Sequence, residues 1–271
     1  MVVNDVGAAT DGAGGVDGGA AQQVVDEIRA AGGSACASTA SVTSWDGAQQ
    51  IVATAVEEFG DLHVVVNNAG IIRDRMLTSM SESDFDAVID VHLKGTFNVT
   101  HWAAAYWRDR SKDGELKARA VINTTSEAGM YGNVGQTNYV AAKAGIAGMT
   151  LTHSLELKRY GVRVNAIAPF ARTRMTQDLA GMDTVFQDSQ YEAADISPLV
   201  AVLAREENEF NGKVFSVMGG SVGVYAPWSI VDEIRTEGTW DVDELAAAVQ
   251  QLPQKIKTTR QPNLIAAAAR R

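Results

Sequence analysis

The 271 residues are 46% hydrophobic and 21% charged, the composition of a soluble globular chain of one or two domains, which excludes disordered and collagen-like architectures. Lys and Arg number 23 against 33 Asp and Glu, a formal charge of −10 at pH 7; such a surface repels phosphate backbones and anionic lipid, so neither nucleic acid nor membrane is expected as a partner. No apolar run approaches the roughly 20 residues of a membrane span, no basic start leads into an apolar stretch, and the single Cys36 can close no internal disulfide, a combination that points to the cytoplasm.

Short β-branched runs alternate with stretches of helical period, the pattern of a single-domain, doubly wound α/β fold on a parallel sheet. The chain opens on the strand Met1-Val2-Val3-Asn4, which ends in Asp5. In the glycine-rich stretch 7–19 a GxGxxG cradle fails on spacing: counted from Gly12 and Gly14, the third glycine falls on Asp17, so the stretch reads as a flexible loop. A helix follows over 19–31, with Val24, Val25 and Ile28 on one face and Gly32-Gly33 as its stop. A second covers 46–59 and precedes the strand Val64-Val65-Val66. The third opens at Ser81, whose position three residues before Asp84 suits a capping box, and runs to 108. Residues 111–119 read as a charged loop before the strand Val121-Ile122-Asn123. A fourth helix covers 138–160 and ends at Gly161, and strands follow at 162–167 and 214–217.

Ser126 stands at the end of a strand, Tyr139 thirteen residues on, and Lys143 one helical turn later on the same face. These residue types suit proton transfer to or from a carbinol oxygen while hydride moves between the adjacent carbon and a nicotinamide ring. A phenol of pKa about 10 is a poor base at neutral pH, so the Lys143 ammonium is expected to favour the phenolate. Ser126 would hold the same substrate oxygen. Asn67-Asn68-Ala69-Gly70 and Asn165-Ala166-Ile167-Ala168-Pro169 close two buried strands at their carboxyl ends, where ligands bind in parallel sheets. His63, His101, His153 and Cys36 have no metal-ligand spacing, so no metal is expected.

Taken in this order, the Asn-Asn-Ala-Gly turn, the Ser126, Tyr139 and Lys143 spacing and the Asn-x-Ile-x-Pro stretch resemble the short-chain dehydrogenase/reductase family over about residues 1–221. The resemblance implies a Rossmann-like sheet and a nicotinamide cofactor. It places Asp5 on the adenosine ribose, where a carboxylate repels a 2′-phosphate and favours NAD over NADP. It also places Asn68, Ala69 and Gly70 on the adenosine side, Val42 beside the adenine, Pro169 and Thr173 near the carboxamide, and Tyr139 and Lys143 at the nicotinamide ribose. Residues 67–75, 131–139 and 174–176 are similar to the (3R)-hydroxyacyl-CoA dehydrogenase module of peroxisomal multifunctional enzymes and its bacterial relatives. That likeness implies a hydrophobic alcohol or ketone, an acyl-CoA or a steroid, as substrate, and a homodimer or homotetramer built on helices 81–108 and 138–160. A helical extension would occupy 222–271, with Trp228, Trp240 and a helix opened by Asp241. Its apolar stripe, Leu245, Val249, Leu252 and Ile256, would pack on the body or a second subunit. Thr176 to Tyr191 would cover the substrate, with Met175, Met182 and Phe186 either forming a greasy lid or packing down.

Four departures stand against the family pattern. About thirty residues carrying a first strand and a TGxxxGxG turn are not found, which would leave two strand edges facing a gap; either they lie upstream, or another segment or chain fills the gap, or the chain is a catalytically silent subunit. Ala40 stands where relatives carry an aspartate for the adenine amine, and Phe170 replaces a glycine beside the nicotinamide. His92 replaces an asparagine; it would either relay protons or be satisfied by a backbone carbonyl.

Overall fold

The structure, a computed structural model, describes residues 1–173, 175–176, 191–226 and 228–253. The strand β1 (Val2–Asn4) pairs in parallel with β2 (Cys36–Ser38), Val3 opposite Ala37, and the helix α1 (Gly19–Ala30) joins them, burying Ala21 and Val25. The main sheet is separate and runs in the order β3 (Val64–Asn67), β4 (Arg119–Thr124), β5 (Val162–Phe170), β6 (Val214–Met218), β7 (Ser221–Val224); all neighbours are parallel except the last pair. Neither β1 nor β3 has a ladder partner on its other side among the described residues, as the departure from the family pattern led one to expect. Val66 in β3 is accordingly 47% exposed, whereas all of β4 is buried.

Alternation along β4 sends Val121 to one face and Ala120 and Ile122 to the other. On the first face Val121, Val162 and Val164 meet α2 (Trp45–Phe59) through Ala48 and Val52 and α4 (Gly95–Lys112) through Val99, Ala103 and Trp107. The other face packs Ile122, Ile167, Phe215 and Val217 on Leu203 of α7 (Ser197–Ala204). Helix α6 (Thr137–Glu156) sets Ala147 against Ala166 and Val214.

The Ser81 box forms: its hydroxyl accepts from Asp84 N–H at 3.1 Å at the start of α3 (Glu82–Ile89). The helix expected to continue unbroken to 108 is instead interrupted by a π turn over Asp90–Lys94 and then runs on as α4 to Lys112, shortening the expected loop at 111–119. Helix α6 stops at Glu156, and a 3-10 turn fills Lys158–Tyr160 before Gly161, whose φ of 76° needs a glycine.

The glycine-rich stretch is a loop, as expected, and it makes backbone hydrogen bonds of its own. Ala9 N–H donates to Ala13 O at 2.8 Å, and Asp17 N–H to Val6 O at 2.9 Å. Thr10 O accepts from Ile72 N–H at 2.8 Å and Asp11 O from Arg73 Nε at 2.7 Å, so the loop is docked beyond the end of β3. Backbone bonding of this kind is invisible in glycine content.

Beyond β7, the helix α8 (Val242–Ala248) is capped by Asp241 as its sequence implies, but it buries none of its residues, and Trp228 is 71% exposed. Ile256, Met182 and Phe186 lie outside the described residues. No helix among the described residues is long and apolar enough to cross a membrane.

Candidate active site

The carboxyl ends of β3, β4 and β5 bring together the Asn-Asn-Ala-Gly turn, Ser126 and the Pro169 segment, as the register of a parallel sheet requires. A buried polar ladder fixes the strand ends: Asn67 Nδ2 donates to Asn123 Oδ1 at 2.9 Å and to Thr100 Oγ1 at 3.0 Å, and Asn123 Nδ2 to Thr150 Oγ1 on α6 at 3.0 Å. Thr124 Oγ1 donates to Asn68 Oδ1 at 3.0 Å, so the turn is held from the next strand.

Ser126 caps the short helix α5 (Glu127–Tyr131), its hydroxyl accepting from Ala128 N–H at 3.2 Å, and it acts on the Tyr139 phenol to lower its pKa. Lys143, 3% exposed, sits one turn along α6 with its ammonium 5.5 Å from the Tyr139 ring centroid, where it donates to Thr124 O at 2.7 Å. Burial pushes the Tyr139 phenol up to about 12, with the Asp74 charge adding to the rise and Ser126 opposing it. Burial also brings Lys143 down to about 7. The hydrogen bond of the Lys143 ammonium goes to the Thr124 carbonyl rather than to the phenol.

This burial has a measurable consequence. Lys143 titrates at about 7 in the folded chain, against 10.5 for an ordinary lysine, so the fold carries the full cost of the buried cation below about 7 and sheds it as pH rises towards 10.5. Lys143→Met is expected to raise the thermal midpoint at pH 6, with the gap over the parent narrowing as pH rises to about 10; calorimetry across that range checks it.

His92 is 2% exposed and lies in the π turn. Its Nε2 is 2.8 Å from Ile71 O and 3.1 Å from Ile71 N, so the backbone holds that nitrogen, while Nδ1 is buried with no hydrogen-bond partner among the described residues; its ring meets Tyr139 edge-on at 5.2 Å. Burial, then the Lys143 charge, brings it down to about 3 against the Ile71 bond, so it stays neutral at working pH. Gly70 is required beside it: a Cβ there would lie 2.4 Å from His92 Cε1.

Of the residues placed at the cofactor, Asn68, Ala69, Gly70, Tyr139, Lys143 and Pro169 sit around the strand ends. Thr173 is exposed, its hydroxyl 3.2 Å from Thr176 Oγ1. Asp5 stands at the end of β1 with Oδ1 accepting from Gly7 N–H at 2.7 Å, and Val42 packs where a Cβ on Gly95 would reach it at 2.7 Å. These suit the adenosine and nicotinamide ends of a dinucleotide. At the start of α1, Gly19 N–H is taken by Asp17 Oδ1 at 2.9 Å, so that helix start offers no free amide there. Phe170 meets Tyr191 edge-on at 5.5 Å. No group of three metal-ligating side chains occurs among the described residues.

Sequence reasoning missed Asp74, Gln136 and Asn138, which tie the turn after β3 to the start of α6. Gln136 Nε2 donates to Asp74 Oδ2 at 2.8 Å, and Asn138 Nδ2 to Arg73 O at 2.9 Å. The only signal was that all three lie within the stretches that carry the subgroup likeness.

The family model for short chain dehydrogenase matches residues 14–184. Hydroxyacyl-CoA dehydrogenase ChsB1 of Mycobacterium tuberculosis is 44% identical over 261 residues, covering 92% of this chain and 79% of its own. The crystal structure of a short chain dehydrogenase from Mycobacterium avium superposes with a TM-score of 0.81 at 51% identity, over 92% of this chain and 84% of that one. Full-length peroxisomal multifunctional enzyme type 2 of Drosophila melanogaster superposes at 0.69 and 32% identity, over 92% of this chain and 42% of that one.

Proposed function

The chain belongs to the short-chain dehydrogenase family, and on that premise we propose that it is an NAD(H)-dependent oxidoreductase interconverting a 3-hydroxyacyl-CoA and its ketone. One observation carries the reading: Tyr139, a phenol withdrawn from water, stands one turn from a buried lysine whose ammonium lies 5.5 Å from its ring, with Ser126 acting on the phenol. The names of the relatives support the acyl-CoA substrate. Asp5 supports NAD, since a carboxylate facing the ribose repels a 2′-phosphate.

When bound, the dinucleotide supplies the hydride acceptor or donor. Ser126 fixes the reacting oxygen beside the phenol. In reduction Tyr139 gives its proton to that oxygen; in oxidation the phenolate takes the alcohol proton. With the phenol held neutral, the reducing step starts from the protonation state present, and the oxidising step first needs the proton removed. Lys143, at about 7, changes charge near neutral pH, and its protonated form favours the phenolate. Lys143 would also hold the nicotinamide ribose. Asn68, Ala69, Gly70 and Val42 would line the adenosine side, and Pro169 and Thr173 would meet the carboxamide.

The same reading makes the protein a homodimer or homotetramer through α4 and α6, whose Phe97 and Leu155 are 43% and 79% exposed. Trp228, 71% exposed, and α8, which buries none of its residues, would then find their cover on a second subunit. A catalytically silent subunit is a second reading, favoured by the split sheet.

Absorbance of NADH formed from 3-hydroxyacyl-CoA thioesters of graded length, with NADP in parallel, separates the two. The enzyme reading expects turnover with NAD preferred. Absence of turnover with every thioester, together with no NADH binding, would establish the silent subunit.

A further inference from the structure

Helix α6 carries both Tyr139 and Lys143, yet Gln136 stands at its N-cap without a side-chain capping bond. The first amides of a helix have no partner within it and must find acceptors elsewhere. For Tyr139 N–H that acceptor is Asn138 Oδ1, at 2.8 Å. The same side-chain amide donates twice, Nδ2 to Arg73 O at 2.9 Å and to Asp84 O at 3.0 Å. Asn138 is fully buried, so one small group joins three segments: the stretch just past the Asn-Asn-Ala-Gly turn, the first turn of α3, and the backbone of Tyr139. The position needs two donors and an acceptor on a short side chain. Aspartate has no donor when ionised, serine has only one, and leucine has neither donor nor acceptor.

Two flanking bonds lay the chain ahead of Tyr139 along the same stretch: Arg75 N–H donates to Gly135 O at 2.8 Å and Gln136 Nε2 to Asp74 Oδ2 at 2.8 Å. Both stop short of Tyr139, and Asn138 carries the connection through to it. The Tyr139 ring meets His92 edge-on at 5.2 Å and has the Lys143 ammonium 5.5 Å from its centroid. These are contacts that a ring keeps only while its backbone stays in place, and a misplacement of about 1 Å in a reacting group can cost roughly 10²-fold in rate. We propose that Asn138 is a positioning residue for the reaction: by bonding the Tyr139 amide and the Arg73 and Asp84 carbonyls at once, it sets the tyrosine at a fixed place relative to the Asn-Asn-Ala-Gly turn. This deepens the dehydrogenase reading and rests on Tyr139 as the proton-exchanging group.

The test is Asn138→Ala, which removes all three bonds, beside Asn138→Ser, whose hydroxyl can restore part of them. Single-turnover oxidation of a 3-hydroxyacyl-CoA should slow by roughly 10²-fold in the alanine variant and by less in the serine one. KM for the thioester and Kd for NADH should stay within a few-fold of the parent. In a Tyr139→Phe background the alanine change should slow the residual rate little further, because no hydroxyl is left to place. Ring-carbon-labelled tyrosine NMR, with the Tyr139 signal assigned by its loss in Tyr139→Phe, reads the placement without substrate: that signal should move in Asn138→Ala while the Tyr106 signal stays. Asn138→Ser carries the same measurements if the alanine variant does not fold. Rate losses that add in full to those of Tyr139→Phe, or a Tyr139 signal that does not move, would overturn the proposal. A moved signal in a protein that turns over no thioester would uphold the placement and overturn the substrate reading instead.

Discussion

Tyr139→Phe is expected to lower kcat for thioester oxidation and reduction by a factor of roughly 10² to 10⁴, the usual worth of a positioned acid or base. KM should change little, because the ring that shapes the site is kept and only the hydroxyl is removed. The fold should survive: the change removes one hydroxyl, and the Ser126 hydroxyl keeps its bond from Ala128 N–H, so it costs no more than about 1 kcal/mol of stability. Steady-state rates in both directions, set beside a denaturation curve, separate loss of chemistry from loss of structure. A variant that folds and turns over within a few-fold of the parent removes Tyr139 from the reaction.

The largest stability effect is expected far from the chemistry, at the amino end of β4. Arg119 is 1% exposed; its guanidinium donates to Leu62 O at 3.0 Å, lies 3.3 Å from Asp61 Oδ1, and stacks 5.6 Å from the Tyr106 ring and 5.9 Å from Trp107. Burial pushes the Asp61 carboxyl up, but Lys117, the Leu62 N–H, the Tyr106 hydroxyl and Arg119 together hold it well below the usual carboxylate range. Arg119→Ala strips a partner from a charge kept out of water and opens space beneath two rings, which should cost about 3 kcal/mol or more. Because the folded carboxyl titrates below the ordinary aspartate value of 3.8, its contribution is present above that value and is lost as pH falls towards the folded one. Urea unfolding should therefore show a difference that is full near neutral pH and shrinks below about 4. A pH-independent difference would assign the loss to packing alone.

The sheet and the nearness of Ser126, Tyr139 and Lys143 were legible because both rest on local spacing. Short apolar β-branched runs gave β3 to β6, the Ser81 and Asp84 pair gave the start of α3, and the one-turn separation of Tyr139 and Lys143 put them on one face of α6. Strand β2 escaped notice because Cys36-Ala37-Ser38 is too short to show a period, and it is held mainly by its pairing with β1. The π turn at Asp90–Lys94 has no residue signature; it is stabilised by what His92 meets across the fold at Ile71. The stretch 7–18 is tied to Ile72 and Arg73, far along the chain from the glycines themselves. The sign of the Tyr139 shift could not be read from spacing, which tells that an ammonium is near but not that both groups are buried.

The most direct test of a phenol as the proton-exchanging group is the pH dependence of single-turnover NADH formation from a 3-hydroxyacyl-CoA. The account predicts a rate that climbs with pH as Tyr139 loses its proton, and a profile in Tyr139→Phe from which that limb has vanished. The same limb persisting in the phenylalanine variant would contradict it, since the titrating base would then be another group.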